Sequence, residues 1–343
     1  MQDTPIFLRA CRREETEYTP VWIMRQAGRF LKEYRSLRRR YDFLTLCKTP
    51  DLATQVTLMP IERLGVDAAI IFADILLPLE PMGIDLEFAK GEGPVIHNPP
   101  HSRAAIEGLK VIEPEADLAF VMEAITAVCR ELKGRIPLVG FSGAPFTLAS
   151  YLLEGGSTKN FIKTKSLMYL EPSCWHLLME KLSETIIAYL NAQVRAGAGV
   201  VQVFDSWAGA LSPHDYKEFV LPHSQNVFSQ LPADIPKIHF ATGTSGILEL
   251  MHEAGGDIIG IDWRIDLDEA WGRLGYDVGI QGNLDPVALF GPQDRIEKTV
   301  GNILDKAGGR PGHIFNLGHG VLPTTPETNV IAMVEAVHRL SKR

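Results

Sequence analysis

The sequence predicts an α/β chain folded as a single-domain (β/α)8 TIM barrel spanning residues 1–343. Three observations predict it. Eight short, nearly continuous apolar runs recur along the chain, the pattern of strands buried on both faces of a parallel sheet. Most are followed by a helical stretch, and no linker, repeat or low-complexity tract breaks the alternation. An open doubly wound sheet, the other fold with this rhythm, would carry a Gly-rich dinucleotide or phosphate turn after an early strand, and none is present.

The runs fall at 21–24, 68–72, 137–141, 199–204, 237–240, 257–261, 278–280 and 314–317. Helix signals sit between them. Thr49-Pro50 opens one helix, with Thr as the cap and Pro in the first turn, and Gly65 closes it. Ser212-Pro213-His214-Asp215 opens another, along which Tyr216, Val220, Val227 and Leu231 form one apolar stripe. Thr325-Pro326-Glu327 opens the last, and further helices are expected near 116–132, 174–196, 244–254, 266–274 and 294–307. Two stretches exceed what a barrel needs. Residues 86–96 look like a hairpin inserted after the second strand, and the Gly/Ser/Lys-rich stretch 154–166 has the composition of a mobile lid over an active-site face.

Composition narrows the function. A chain of 343 residues, 45% hydrophobic and 22% charged, has the make-up of a globular enzyme with a large core. A net charge of −8 argues against general nucleic-acid binding. That charge is uneven, because the first fifty residues hold eleven Lys/Arg against six Asp/Glu. A basic segment on an acidic protein suggests a local site for an anion, although Arg35, Arg38, Arg39 and Arg40 could equally form a solvated helix face. The four cysteines are scattered without metal-ligand spacing, no apolar run is long enough to span a membrane, and no leader pattern opens the chain. The expectation is a cytoplasmic protein with no metal, no nucleic-acid partner and no membrane partner.

In barrel enzymes the chemistry collects where strands end. Here the ends read Met24-Arg25-Gln26, Phe72-Ala73-Asp74, Phe141-Ser142-Gly143, Phe204-Asp205-Ser206-Trp207, Phe240-Ala241-Thr242, Ile261-Asp262-Trp263, Gln281-Gly282-Asn283 and Leu317-Gly318-His319-Gly320. Arg25 and Arg29, four positions apart across a small-residue hinge, can aim two flat guanidinium forks at one anion. The bland alternative pairs them with neighbouring carboxylates or with water. Arginines without a metal or dinucleotide motif suggest a poly-anionic organic substrate, and the residues alone reach no further.

The motifs reach further. Trp22-Ile23-Met24-Arg25-Gln26-Ala27-Gly28-Arg29-Phe30, Ile71-Phe72-Ala73-Asp74-Ile75-Leu76, Ala144-Pro145-Phe146-Thr147-Leu148-Ala149-Ser150-Tyr151, Phe204-Asp205-Ser206-Trp207-Ala208-Gly209, Gln281-Gly282-Asn283-Leu284-Asp285-Pro286 and Asn316-Leu317-Gly318-His319-Gly320 closely resemble the uroporphyrinogen decarboxylases, in order and over nearly the whole chain. The resemblance implies a homodimeric, cofactor-independent barrel that converts the four acetate side chains of uroporphyrinogen III to methyl groups, giving coproporphyrinogen III for haem and chlorophyll. It implies that Arg25, Gln26, Ala27, Gly28 and Arg29 bind substrate carboxylates and that Asp74 faces the pyrrole N–H groups. It implies also that Tyr151, Ser206 and His319 line the same cleft. Asp74, Arg25 and Arg29 are then the expected catalytic residues, with Arg25 also a candidate proton relay. Two rivals remain. A zinc- or corrinoid-dependent methyltransferase of the same superfamily would need a His-x-Cys where this chain has His239-Phe240-Ala241. A non-catalytic porphyrin-binding barrel would keep the arginines but could dispense with Asp74.

Overall fold

A computed structural model describes residues 4–89 and 93–343. The strands are β1 (Ala69–Ile70), β2 (Leu86–Ala89), β3 (Gly93–Ile96), β4 (Leu138–Gly143), β5 (Val200–Asp205), β6 (Lys237–Ala241), β7 (Ile258–Gly260), β8 (Gly279–Gln281) and β9 (His313–Ile314). Seven of them form one parallel sheet in the order β1-β4-β5-β6-β7-β8-β9, each joined to the next through helix on the outside. Their residues are buried, as near-continuous apolar runs packed on both faces require.

The eighth position is filled differently from expectation. Residues 20–22 make only an isolated parallel bridge, Val21 to Phe315, rather than a full strand. Even so, they lie between the two edges of the sheet. Phe315 donates its N–H to the Pro20 carbonyl at 2.8 Å, and Asp67, just before β1, donates to the Val21 carbonyl at 2.8 Å. Pairing stops there for local reasons. Pro20 has no N–H, Val21 gives its own to the Asp67 carboxylate, and a turn from Ile23 to Gln26 ends the extended run.

The expected helices are present, including Pro50–Leu64 closed by Gly65 in the left-handed region and Glu327–Leu340 at the end. One is split. The stripe beginning at Tyr216 runs through two helices, Pro213–Phe219 and Leu221–Ser229, because Pro222 cannot continue an upstream helix. The inserted hairpin is β2 paired antiparallel with β3, and its turn lies outside the described residues. The 154–166 stretch is tethered to that hairpin. Gly156 bridges Val95, Ile96 donates to the Gly155 carbonyl, and Phe161 is buried against Phe146 and Trp207 before the helix Ile162–Leu170 begins.

Inside the ring the core is not wholly apolar. Trp22 donates its indole N–H to Gln281 at 2.9 Å, and Gln281 donates to Gln202 at 3.1 Å, all three being buried. This pair of bonds links residues from three positions around the barrel beneath the strand ends.

Candidate active site

The loop leaving the first strand position is braced from several sides. Asn316 Oδ1 accepts the N–H groups of Met24 (3.2 Å) and Leu317 (2.8 Å), and Val321 donates to the Met24 carbonyl. Arg25 has a φ of +63°, a left-handed backbone that costs a residue carrying a Cβ roughly 1–2 kcal/mol. Gln26 explains how the bend is held. Its side chain is fully buried, accepting from the Ile23 N–H and donating to the Ala68 carbonyl. The resemblance groups Gln26 with the carboxylate binders, yet its amide is spent inside the protein. Gly28 is sterically required, since a Cβ there would fall 2.6 Å from the Arg25 carbonyl, and Ala27 beside it is half-buried. Arg35, from the basic helix, donates to the carbonyls of both Arg29 and Phe30. The guanidinium-bearing Arg25 and Arg29 are themselves exposed, and neither joins an ion pair among the described residues. Among the described residues no carboxylate is paired with either arginine, and both guanidiniums stand open to water or to an anion.

Asp74 follows β1. Its Oδ1 accepts the Leu76 N–H at 2.9 Å, capping the short turn that continues through Leu77–Leu79. Its Oδ2 carries no hydrogen bond among the described residues. The residue is only half-buried by surface, but the cleft walls crowd it. That desolvation pushes the carboxyl up to about 6, against the lowering pull of the Leu76 N–H and of Arg25. Asp74 is thus a cap and a cleft group at once.

Tyr151 comes from the helix Pro145–Glu154 and not directly from a strand end. It stacks on Trp207, and its hydroxyl bonds with Ser157. Burial first, and then the Asp74 charge, raise its pKa, while Arg25 pulls it down. Ser206, half-buried, directly follows β5, and its carbonyl accepts from the Thr242 hydroxyl at 2.7 Å. Asp205 beside it is fully buried, accepts from Thr147 at 3.0 Å and is pushed up to about 7 by desolvation. Thr147 in turn lies 3.4 Å from the Trp207 N–H.

His319 stands between two glycines that are close approaches. A Cβ on Gly320 would come within 2.5 Å of Arg25 Cδ, and one on Gly318 within 2.7 Å of the Trp263 backbone nitrogen. The Gly320 N–H donates to His319 Nδ1 at 2.7 Å, which leaves the ring proton on Nε2. Burial, followed by the charges of Arg25 and Arg264, lowers its pKa to about 4. Arg25 therefore acts on Asp74, Tyr151 and His319 together, while the Arg29 charge acts on Tyr34. The sequence reading passed over Trp207, Asp205 and Arg264 as site residues, although the first two stand in a quoted strand end and Arg264 directly follows another.

A family model described as uroporphyrinogen decarboxylase matches residues 3–340. The chain belongs to the uroporphyrinogen decarboxylase family. Relatives named uroporphyrinogen decarboxylase include one from Carboxydothermus hydrogenoformans, 58% identical over 99% of this chain and 97% of the relative. Another, from Sorangium cellulosum, is 56% identical over 98% and 96%. Among solved structures, a methyltransferase from Methanosarcina mazei superposes with a TM-score of 0.83 at 22% identity, covering 98% of both chains. At that identity the likeness is one of fold. The residue that a methyltransferase reading would recruit, His239, is fully buried in this uroporphyrinogen decarboxylase family member, with its Nδ1 facing the carbonyls of Met251 and Gly255.

Proposed function

We propose that this protein decarboxylates the four acetate side chains of uroporphyrinogen III to methyl groups, yielding coproporphyrinogen III in tetrapyrrole biosynthesis. The observation that carries the reading is Asp74, a crowded carboxylate with one oxygen free, beside an arginine with no ion-pair partner among the described residues. Family membership over nearly the whole chain supports it.

Losing CO2 from an acetate requires somewhere for the bonding electrons to go. A pyrrole provides it. Protonation of the pyrrole α-carbon next to the carbon that bears the acetate gives an iminium conjugated to that carbon, and the electrons of the breaking C–C bond flow into the ring as CO2 departs, leaving an exocyclic methylene. The exocyclic carbon then takes a proton to become a methyl group while the ring carbon gives one back, for a net uptake of one proton. Asp74 holds the pyrrole N–H groups where positive charge develops, and the crowding that makes its own charge costly in the empty cleft strengthens that attraction once the ring is bound. Arg25 and Arg29 clamp acetate carboxylates. Tyr151 and Ser206 offer hydroxyls to orient side arms, and neutral His319 presents an Nε2–H donor. The basic N-terminal segment steers an octa-anion toward an acidic protein.

We read the working form as one cytoplasmic barrel domain per chain, paired as a homodimer. No helix among the described residues is long and apolar enough to cross a membrane. The direct test is anaerobic incubation with uroporphyrinogen III followed by chromatography of the oxidised products. Successive hepta-, hexa-, penta- and tetracarboxylic species are expected, and unchanged octacarboxylate would overturn the reading.

A further inference from the structure

The segment after β7 carries a third arginine that none of the roles above uses. Arg264 lies with its guanidinium over the Trp263 ring, 4.4 Å from the centroid, and bonds to Asp262 Oδ2. Asp262 is nearly sealed and heavily partnered. Its Oδ1 accepts the Arg264 backbone N–H at 2.9 Å, and its Oδ2 accepts the Gly243 N–H at 2.6 Å besides the guanidinium. The Arg264 side chain, by contrast, is 52% exposed. One edge of the fork is anchored and stacked, and the other faces outward. Such a guanidinium is held in place before a ligand arrives, so little freedom is lost on binding.

Its position ties it to the cleft. Gly318 packs on the Trp263 backbone and ring, and Gly320 packs on the Arg25 side chain, so His319 sits between the two arginine-bearing segments. Both arginines act on the His319 ring. A cavity of about 460 Å³ borders Arg264, Trp263, Ser245 and Gly246. The other charged groups on its wall are engaged elsewhere. Asp266 bonds to Lys306, Arg273 bonds to Glu249 at 2.8 Å through two nitrogens, and Glu269 faces Arg273.

We infer that Arg264 binds a propionate carboxylate of the tetrapyrrole, across His319 from Arg25. The inference rests on the decarboxylase reading and adds a division of labour to it. The acetates held by Arg25 and Arg29 disappear one by one, whereas the four propionates survive every step. An anchor on a propionate keeps its grip on each intermediate, so the affinity of the cleft does not collapse as the substrate loses charge.

The product supplies the discriminating probe, because coproporphyrinogen III keeps the propionates and has no acetates. In Arg264→Gln, the KM for uroporphyrinogen III and the Ki for coproporphyrinogen III as inhibitor should both rise by roughly tenfold, the loss expected for one charged hydrogen-bonded contact. Turnover number should stay within about twofold of wild type. Arg264→Lys keeps a cation against Asp262 but cannot reach two carboxylates at once. It should therefore show a smaller rise in both constants, and it serves if the Gln variant does not fold. A rise in KM with unchanged product inhibition would overturn the assignment, as would no change in either constant while wild type turns over. Wild-type protein that leaves uroporphyrinogen unchanged would overturn the decarboxylase reading and this inference together.

Discussion

The ring of Trp207 lies on that of Tyr151, centroids 3.9 Å apart and planes inclined by 28°. Tyr151 belongs to a helix and Trp207 to the loop after β5, so this contact sets where the tyrosine hydroxyl points. An offset aromatic pair contributes roughly 0.5–1.5 kcal/mol beyond area burial. Trp207→Leu should accordingly raise the KM for uroporphyrinogen by about two- to tenfold with less effect on turnover number, read by steady-state kinetics. Unchanged kinetics would show that the tyrosine needs no such support.

Asp74→Asn should lower turnover number by roughly 10²–10³, the usual loss when a group that meets developing charge is removed. It should also stabilise the protein at neutral pH. Burial raises the Asp74 carboxyl from 3.8 to about 6, so between those values the folded protein keeps a proton that the unfolded chain has lost. The stabilising contribution is full below the unfolded value and is lost as pH rises through about 6. Thermal melts should therefore place the Asn variant above wild type near pH ~7.5, with the gap closing toward pH ~4. A variant that melts below wild type at neutral pH would contradict the crowding of this carboxylate.

His319 should remain neutral through the physiological range. Its pKa is depressed to about 4 by burial and by two arginines, and the Gly320 N–H occupies Nδ1. As pH falls below the ordinary histidine value of 6.5 the unfolded chain takes up the proton first, so the stability present above 6.5 is lost as pH drops through about 4. Nitrogen-15 NMR of the imidazole at pH ~6 should show the Nε2–H tautomer. An imidazolium signal there would remove the donor role assigned to it.

The two glycines flanking His319 should fail in different ways. Gly320→Ala meets the flexible Arg25 side chain and should displace it, raising KM while the protein melts nearly as wild type. Gly318→Ala meets the Trp263 backbone and should cost about 1–3 kcal/mol of stability by overpacking. Denaturation and kinetics on both variants separate the outcomes. Loss of stability in both would mean that Arg25 is as rigid as backbone.

Much of the site was legible because the barrel converts sequence position into spatial position. Asp74, Ser206 and His319 each stand two positions past the end of an apolar run, so an eight-run count sets them at the same end of the ring. Gln26 misled because its neighbours are arginines. Nothing local shows that a glutamine amide will turn inward to the Ala68 carbonyl, forty-two residues away. Trp207 and Arg264 were missed for a related reason. Both look like ordinary packing or surface residues until Tyr151 and Asp262 are seen against them.

The sequence alone determined the fold class and the rim. Strands buried on both faces must be written as short apolar runs, and the polar residue after each run has nowhere to go but the open end. The tertiary structure alone decided how the ring closes, through residues 20–22 bonded to Asp67 and Phe315 rather than through a full strand. It also decided which rim residues are spent on the protein and which stay free. That choice depends on partners far apart in the chain, such as Met24 with Asn316, and no local periodicity encodes it.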